Sequence, residues 1–224
     1  NKILAQKTSE KGYDAIISEY VYIDSPEVEK TMKLIPNVYN KIKGIGIDLG
    51  GGVGCISSTL AKNPNVEKIF CVELVEDVVK LCQPIVKKQI LKDQHEKVVS
   101  VVGDYNFLEL PDNSADFALS WDAMHHSQDP VITLQECKRV LKKDGIFMII
   151  DRAHNNSTSD EEIERILKKE LKYTGNLYLM VDFNKDLLSI TNLHILVSSD
   201  LYVNCQYMAF LSSNQYNEQM QFQI

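Results

Sequence analysis

The chain of 224 residues contains no apolar run close to the roughly 20 residues that a membrane-spanning helix requires. Its first residues also lack the basic start and apolar stretch of a secretory signal peptide. Disulfide patterns are missing too, because the five cysteines are an odd number and include no C-x-x-C pair. These absences predict a cytoplasmic protein without a membrane span, whose thiols are buried and reduced.

A basic surface and a metal-binding pattern are absent as well. Lysine and arginine number 24 against 31 aspartates and glutamates, which gives a formal charge of −7. Nucleic-acid binding needs a positively charged footprint, so we expect no nucleic-acid partner. Histidine, cysteine and acidic residues show no ligand-type spacing along the chain, and we therefore expect no metal site.

Glycine is scarce, with ten residues in all, yet four of them stand together just after a short apolar stretch. Residues 48–54 read Asp-Leu-Gly-Gly-Gly-Val-Gly, with Gly50, Gly52 and Gly54 at alternate positions. Glycine lets the backbone turn sharply here and approach a ligand closely. The spacing differs from the G-x-G-x-x-G of dinucleotide-binding turns. Asp48 would repel a pyrophosphate, and it favours a ligand with an ammonium group.

Two further predicted strands lead to acidic residues. Residues 66–73 form an apolar strand that ends at Glu73, about one strand–helix–strand unit after Asp48. In a doubly wound sheet this places Glu73 at the same edge, where a carboxylate can accept hydrogen bonds from both ribose hydroxyls. Nicotinamide enzymes use the same device, so Glu73 alone does not identify the cofactor. After the predicted strand 98–102, Asp104 and Tyr105 reach this edge too.

A longer motif follows the predicted fourth strand. Residues 121–130 read Trp-Asp-Ala-Met-His-His-Ser-Gln-Asp-Pro, and residues 139–145 read Arg-Val-Leu-Lys-Lys-Asp-Gly. With the glycine-rich turn and the two acids, this string resembles the class I S-adenosylmethionine-dependent methyltransferases. Within them it is similar to the branch that includes ubiquinone and menaquinone biosynthesis enzymes. The resemblance runs from about Gly44 to Asp151, roughly half of the chain.

The resemblance implies S-adenosylmethionine as cofactor and S-adenosylhomocysteine as product. It implies that the glycine-rich turn wraps the methionine part, that Asp48 holds its amino group, and that Glu73 holds the ribose. At the adenine it implies a hydrogen bond to Asp104. The aromatic candidates for contact with the cofactor are Tyr105, Trp121 and, in an N-terminal lid, Tyr13.

Catalysis in such enzymes requires little beyond alignment. The leaving group of a sulfonium is a neutral thioether, so positioning of the acceptor in line with the methyl group supplies most of the effect. A base is needed only when the acceptor carries a proton at attack. Among His125, His126 and His154, we expect a structural or pocket-lining role for His125 and name His126 as the candidate catalytic residue. The expected acceptor is a small molecule, although the sequence does not choose its reacting atom.

The order of predicted elements indicates an α/β fold. We expect a doubly wound, mostly parallel, seven-stranded Rossmann-like sheet with an antiparallel C-terminal hairpin and an N-terminal helical lid. The length predicts one domain over residues 1–224. Its expected parts are the lid at 1–43, the cofactor-binding core at 44–151, an acceptor-side insertion at 152–191, and the closing hairpin and tail at 192–224.

Three other functions fit parts of this pattern. An aminopropyl transferase of the spermidine synthase type would share the fold and could use Asp122, but it places an acid where this chain has Val53. A nicotinamide-dependent oxidoreductase is disfavoured because the third glycine of its fingerprint is missing. A catalytically inactive cofactor-binding partner protein stays open, since no single residue is mandatory for methyl transfer.

Overall fold

The computed structural model describes residues 12, 15, 17–127, 129–152, 159–161, 165, 194–199 and 206–212. For residues 152, 194–199 and 206–212 it describes the backbone alone. Tyr13, His154 and most of the predicted insertion 152–191 lie outside the described residues, and so does the tail after residue 212.

Five parallel strands form the centre of the fold, and they confirm the predicted α/β sheet. They are β1 (Gly44–Leu49), β2 (Val66–Glu73), β3 (Val98–Val102), β4 (Ala115–Trp121) and β5 (Leu141–Arg152). Their order is β3-β2-β1-β4-β5, so the winding reverses between β1 and β4. Ligands of open α/β sheets bind beyond the carboxyl ends of the strands at such a reversal. Beside β5 lies the antiparallel β7 (Gln206–Ser212), and beside it β6 (His194–Ser199).

Within the described residues 17–152, five α-helices flank the sheet: α1 (Ser25–Leu34), α2 (Pro36–Tyr39), α3 (Cys55–Leu60), α4 (Gln83–Leu91) and α5 (Pro130–Val140). A π-helical segment, Ile17–Asp24, precedes α1, and another, Val78–Cys82, leads into α4. Short 3₁₀ turns cover Lys92–Lys97 and Met124–His126. Among the residues described, no helix combines the length and the apolar character that crossing a bilayer requires.

The ends of these helices follow simple local chemistry. Proline stands in the first turn of α1, α2, α4 and α5, where a missing N–H is harmless. Asp129 caps α5, because its Oδ1 accepts hydrogen bonds from the backbone N–H groups of Val131 and Ile132 at 3.0 and 3.2 Å. The Thr59 hydroxyl donates to Ser25 Oγ at 2.8 Å, which ties the start of α1 to α3.

Hydrophobic side chains fill both faces of the sheet. One cluster includes Met32 of α1, Leu60 of α3 and Phe117 of β4, and the other includes Leu134 of α5 and Phe147 of β5. Four of the five cysteines are buried free thiols, as predicted, and Cys205 lies outside the described residues. The two clusters hold the strands in register, which brings their carboxyl ends to one edge.

Gly46 gives the first cluster its close packing, and an alanine there should destabilise the fold. A Cβ at Gly46 would lie 2.1 to 2.6 Å from the ring atoms of Phe117, its partner in the neighbouring strand. We expect Gly46→Ala to lower the free energy of unfolding by about 2 kcal/mol, measured by urea denaturation. Adding Phe117→Leu to Gly46→Ala should recover part of this loss. Strict additivity of the two changes would contradict the packing explanation.

Candidate functional site

The turn after β1 depends on glycine for conformation and for space. The backbone φ angles of Gly50, Gly52 and Gly54 are 73°, 52° and 83°, values that residues with a Cβ rarely adopt. A Cβ at Gly51 would lie 2.3 Å from Cys71 Sγ, so β2 closes that side. A Cβ at Gly52 would meet no atom within 4 Å. The turn therefore leaves bare backbone beside open space at Gly52.

Glu73 lies directly beneath this turn. Its side chain is 3% exposed, and its two carboxylate oxygens have separate backbone donors. Oε2 accepts from the N–H of Gly52 at 3.2 Å, and Oε1 accepts from the N–H of Val75 at 2.9 Å. These two bonds hold the carboxylate in a fixed orientation beneath the turn.

Asp48 is more deeply enclosed than the sequence indicates. It is 1% exposed, and its Oδ2 accepts a hydrogen bond from the Ser57 hydroxyl at 2.6 Å. Burial raises the pKa of Asp48 to about 6; nearby Glu73 adds to the rise, and the bonds from Ser57 oppose it. Asp48 thus supports the start of α3 beneath the turn, and direct contact with an ammonium group stays a prediction.

The end of β3 supplies the other predicted contacts. Tyr105 is half-buried, and its ring lies beside the turn: a Cβ at Gly50 would be 3.5 Å from a ring atom of Tyr105. Its hydroxyl donates to the Ala123 carbonyl at 3.4 Å. Asp104 is exposed, and its Oδ1 accepts from the N–H of Asn106 at 2.8 Å. The structure therefore brings Tyr105 to the glycine-rich turn.

Leu74 is a candidate that the sequence analysis missed. It follows Glu73 directly and is 69% exposed, although a leucine more often lies in a core. An exposed aliphatic side chain beside a buried carboxylate can pack on the flat face of a ligand ring. Its position after a strand-end acid was the available signal.

Arg139, from the longer sequence motif, fastens the segment that follows Tyr105. Its guanidinium donates to the carbonyls of Leu108 and Leu110, each at 2.8 Å, and pairs with Glu136 and Asp112. The motif thus has a structural explanation, since α5 and the β3–β4 connection are joined by one side chain.

Trp121 belongs to the core more than to the open edge. It is half-buried and packs against the cluster that contains Phe117. Its predicted contact with the cofactor stays a prediction, as does that of Tyr13.

A buried His–Asp pair lies at the ends of β4 and β5. His125 is 8% exposed; its Nδ1 lies 2.6 Å from Asp151 Oδ1, and its backbone N–H donates to Asp151 Oδ2 at 3.0 Å. Asp122 Oδ1 lies 4.0 Å from the same Nδ1. These three residues offer ligand atoms within 4.8 Å of one another, so they could hold a metal ion. Sequence spacing did not reveal this group because Asp151 comes from a distant strand. The hydrogen bonds between Asp151 and His125 also give Asp151 a structural role, since they support the Met124–His126 turn.

His126, the predicted catalytic residue, stacks next to this pair. Its ring centroid lies 4.2 Å from that of His125, and the side chain keeps an exposed face. Partial burial lowers the pKa of His126 to about 4, and the neighbouring His125 makes a smaller contribution in the same direction. The imidazole is therefore neutral at pH 7, able to accept a proton but weakly basic.

Removal of the Asp151 carboxylate should loosen this region. Asp151→Ala leaves the N–H of His125 and its imidazole without their buried acceptor, so we expect a loss of about 2 kcal/mol in the free energy of unfolding. Urea denaturation followed by the fluorescence of the single tryptophan measures it. Asp151→Asn keeps one acceptor oxygen and should lose less. Equal losses in the two variants would contradict this account.

Several of the known proteins that this chain resembles are described as methyltransferases. A family model described as a methyltransferase domain matches residues 47–149, which extend from β1 to β5. The uncharacterized methyltransferase YcgJ of Bacillus subtilis is 28% identical over 54% of this chain and 46% of its own length. Its crystal structure has a TM-score of 0.56 at 21% identity, covering 70% of this chain and 66% of that one.

Two further relatives differ in activity. The sarcosine/dimethylglycine N-methyltransferase of Aphanothece halophytica is 25% identical over 70% of this chain and 57% of its own length. The mitochondrial arginine-hydroxylase NDUFAF5 of Rattus norvegicus is 28% identical over 63% of this chain and 39% of its own length. The chain thus spans about half, or less, of the length of most of these curated relatives.

Proposed function

We propose that this chain methylates a small-molecule acceptor, and that residues 47–149 form the class I S-adenosylmethionine-dependent methyltransferase domain that the sequence predicted. The negative net charge of −7 supports a small molecule over a nucleic acid. The N-methyltransferase relative, which acts on small amines by its name, supports the same acceptor class.

One observation carries the proposal: bare backbone and a buried carboxylate adjoin open space at the turn after β1. A side chain at position 52 would occupy the open space that glycine leaves there, and the Glu73 carboxylate accepts a hydrogen bond from the Gly52 N–H. These residues fit S-adenosylmethionine, since a nucleoside needs a carboxylate at its hydroxyls and close backbone approach. Glu73 would hold the ribose, the glycine-rich turn the methionine part, and Leu74, Asp104 and Tyr105 the adenine.

When bound, S-adenosylmethionine supplies an electrophilic methyl group on a sulfonium. The protein's own contribution is to bind, to orient and to exclude water. His126 lies after β4 at the same edge, and its neutral imidazole can accept a proton from the acceptor. The hydrogen bonds of His125 with Asp151 hold the turn that carries His126. We propose His126 as the residue that faces the acceptor.

Calorimetry ranks the candidate ligands. S-adenosylhomocysteine and S-adenosylmethionine should bind more tightly than decarboxylated S-adenosylmethionine or NADH. Tight binding of NADH alone would overturn the proposal, and preference for the decarboxylated form would favour the aminopropyl transferase. Turnover of S-adenosylmethionine with a panel of small amines, hydroxylated metabolites and quinols then tests the activity. Binding without turnover on any acceptor would favour the inactive partner protein.

A further inference from the structure

Gln83 is a fully buried side-chain amide whose nitrogen has a hydrogen-bond partner and whose oxygen has none among the described residues. It is 0% exposed and stands where the π-helical segment Val78–Cys82 passes into α4. Its Nε2 donates to the Gly52 carbonyl at 2.9 Å. Its Oε1 is buried and has no hydrogen-bond partner among the residues that the structure describes. Exchange of the two amide atoms would not help, because Oε1 would then face another carbonyl oxygen.

The partner of this amide is the residue at the centre of the proposed site. Gly52 is held on both sides: its N–H donates to Glu73 Oε2 and its carbonyl accepts from Gln83 Nε2. The two hydrogen bonds engage the two peptide groups that flank the Gly52 Cα. Together they fix the left-handed backbone of Gly52, with φ of 52°, next to the open space.

Packing alone does not require glutamine at this position. The aliphatic part of the side chain fills the space next to Gly54, where an added Cβ would lie 3.5 Å from Gln83 Cγ. A methionine would fill a similar volume and would remove the buried Oε1 that has no partner, at the cost of the hydrogen bond to the Gly52 carbonyl. A buried polar group that the fold does not need indicates a role in the site.

We infer that Gln83 is a positioning residue for cofactor binding. It locks Gly52 in the conformation that keeps the space beside it open and that points the Gly52 N–H at Glu73. Glu73 is thereby oriented for the ribose before the ligand arrives, which reduces the ordering that binding requires. The inference rests on the proposed function, since it concerns the same nucleoside site.

The test measures S-adenosylhomocysteine affinity by calorimetry and thermal unfolding without ligand, for the wild type and Gln83→Met. We expect the affinity of Gln83→Met to fall about tenfold while its Tm stays equal or rises. Gln89→Met, an exposed position in the same helix, is the matched control and should leave both quantities unchanged. Gln83→Leu, which also offers no donor to Gly52 and buries no polar group, answers the same question if the methionine variant does not fold.

The outcomes are distinct. Wild-type affinity in Gln83→Met overturns the inference, and so does an affinity loss accompanied by a matching fall in Tm. If the wild type itself binds no S-adenosylhomocysteine, the proposed function fails instead. Hydrogen exchange at the Gly52 amide adds a readout that does not depend on activity: it should quicken in Gln83→Met if the loop loses its lock.

Discussion

Replacement of Glu73 by glutamine is expected to weaken S-adenosylhomocysteine binding about 100-fold. Each carboxylate oxygen accepts a backbone N–H, from Gly52 or from Val75, and this fixes the carboxylate that is proposed to hold the ribose. Glutamine replaces one of these oxygens with an NH₂ group, which faces either Gly52 N–H or Val75 N–H donor to donor. The loss of charge-assisted hydrogen bonds corresponds to about 3 kcal/mol. Calorimetry near pH 7.5 measures the affinity.

The matched control for Glu73→Gln is Glu67→Gln, an exposed position in the same strand. It removes the same charge from β2 and should leave the affinity unchanged. Circular dichroism checks that both variants fold. An intact Glu73→Gln variant with wild-type affinity would remove Glu73 from the site, and with it the ribose assignment.

Replacement of Asp48 by asparagine is expected to stabilise the fold at pH 8 by about 2 kcal/mol. Burial raises the pKa of Asp48 from 3.8 to about 6. Between these values the folded state holds the proton more strongly than the unfolded state, so stability falls as the pH rises from about 4 to about 6. Above pH 6 the ionised carboxylate costs about 3 kcal/mol. Asparagine carries no charge, so it avoids the cost of burying an ionised carboxylate, and its side-chain oxygen still accepts a weaker hydrogen bond from Ser57.

Urea denaturation at pH 4 and pH 8 measures this gain. The advantage of Asp48→Asn over the wild type should be present at pH 8 and largely absent at pH 4. Asp93→Asn, an exposed acid in the 3₁₀ turn before β3, is the control and should show no such difference. A variant that is less stable than the wild type at pH 8 would contradict the burial argument.

The same variant should bind the cofactor less well. If Asp48 holds the ammonium group of S-adenosylmethionine, its affinity falls about tenfold in Asp48→Asn, as expected for one charge-assisted hydrogen bond. A gain in stability together with a loss in affinity would mark Asp48 as a residue kept for binding. Unchanged affinity would restrict its role to the support of α3.

Much of the fold could be predicted from the sequence because its signals are local. Apolar stretches predicted the parallel strands, and the residues directly after them were predicted to meet at one edge. The structure places Gly50, Glu73 and Tyr105 at that edge, since carboxyl ends of neighbouring parallel strands coincide. The positive φ of Gly50, Gly52 and Gly54 agrees with the need for glycine in the turn.

Other features had no sequence signal. The pairs Gly52–Gln83 and His125–Asp151 join residues 31 and 26 positions apart, and the Asp48–Ser57 bond connects a predicted ligand group to a helix. Hydrogen-bond partners of this kind follow no period along the chain. They depend on how closely hydrophobic side chains pack each helix against its neighbours and the sheet.

The sequence by itself determined the parallel sheet, the glycine-rich turn and the acids that follow the strands, because strand periodicity and backbone sterics act over a few residues. Only the tertiary structure decided which of these acids is enclosed, which backbone groups it accepts from, and that Gln83 fixes Gly52. Burial decides these points, since an oxygen removed from water must take its partner from whatever group the packing brings within about 3 Å.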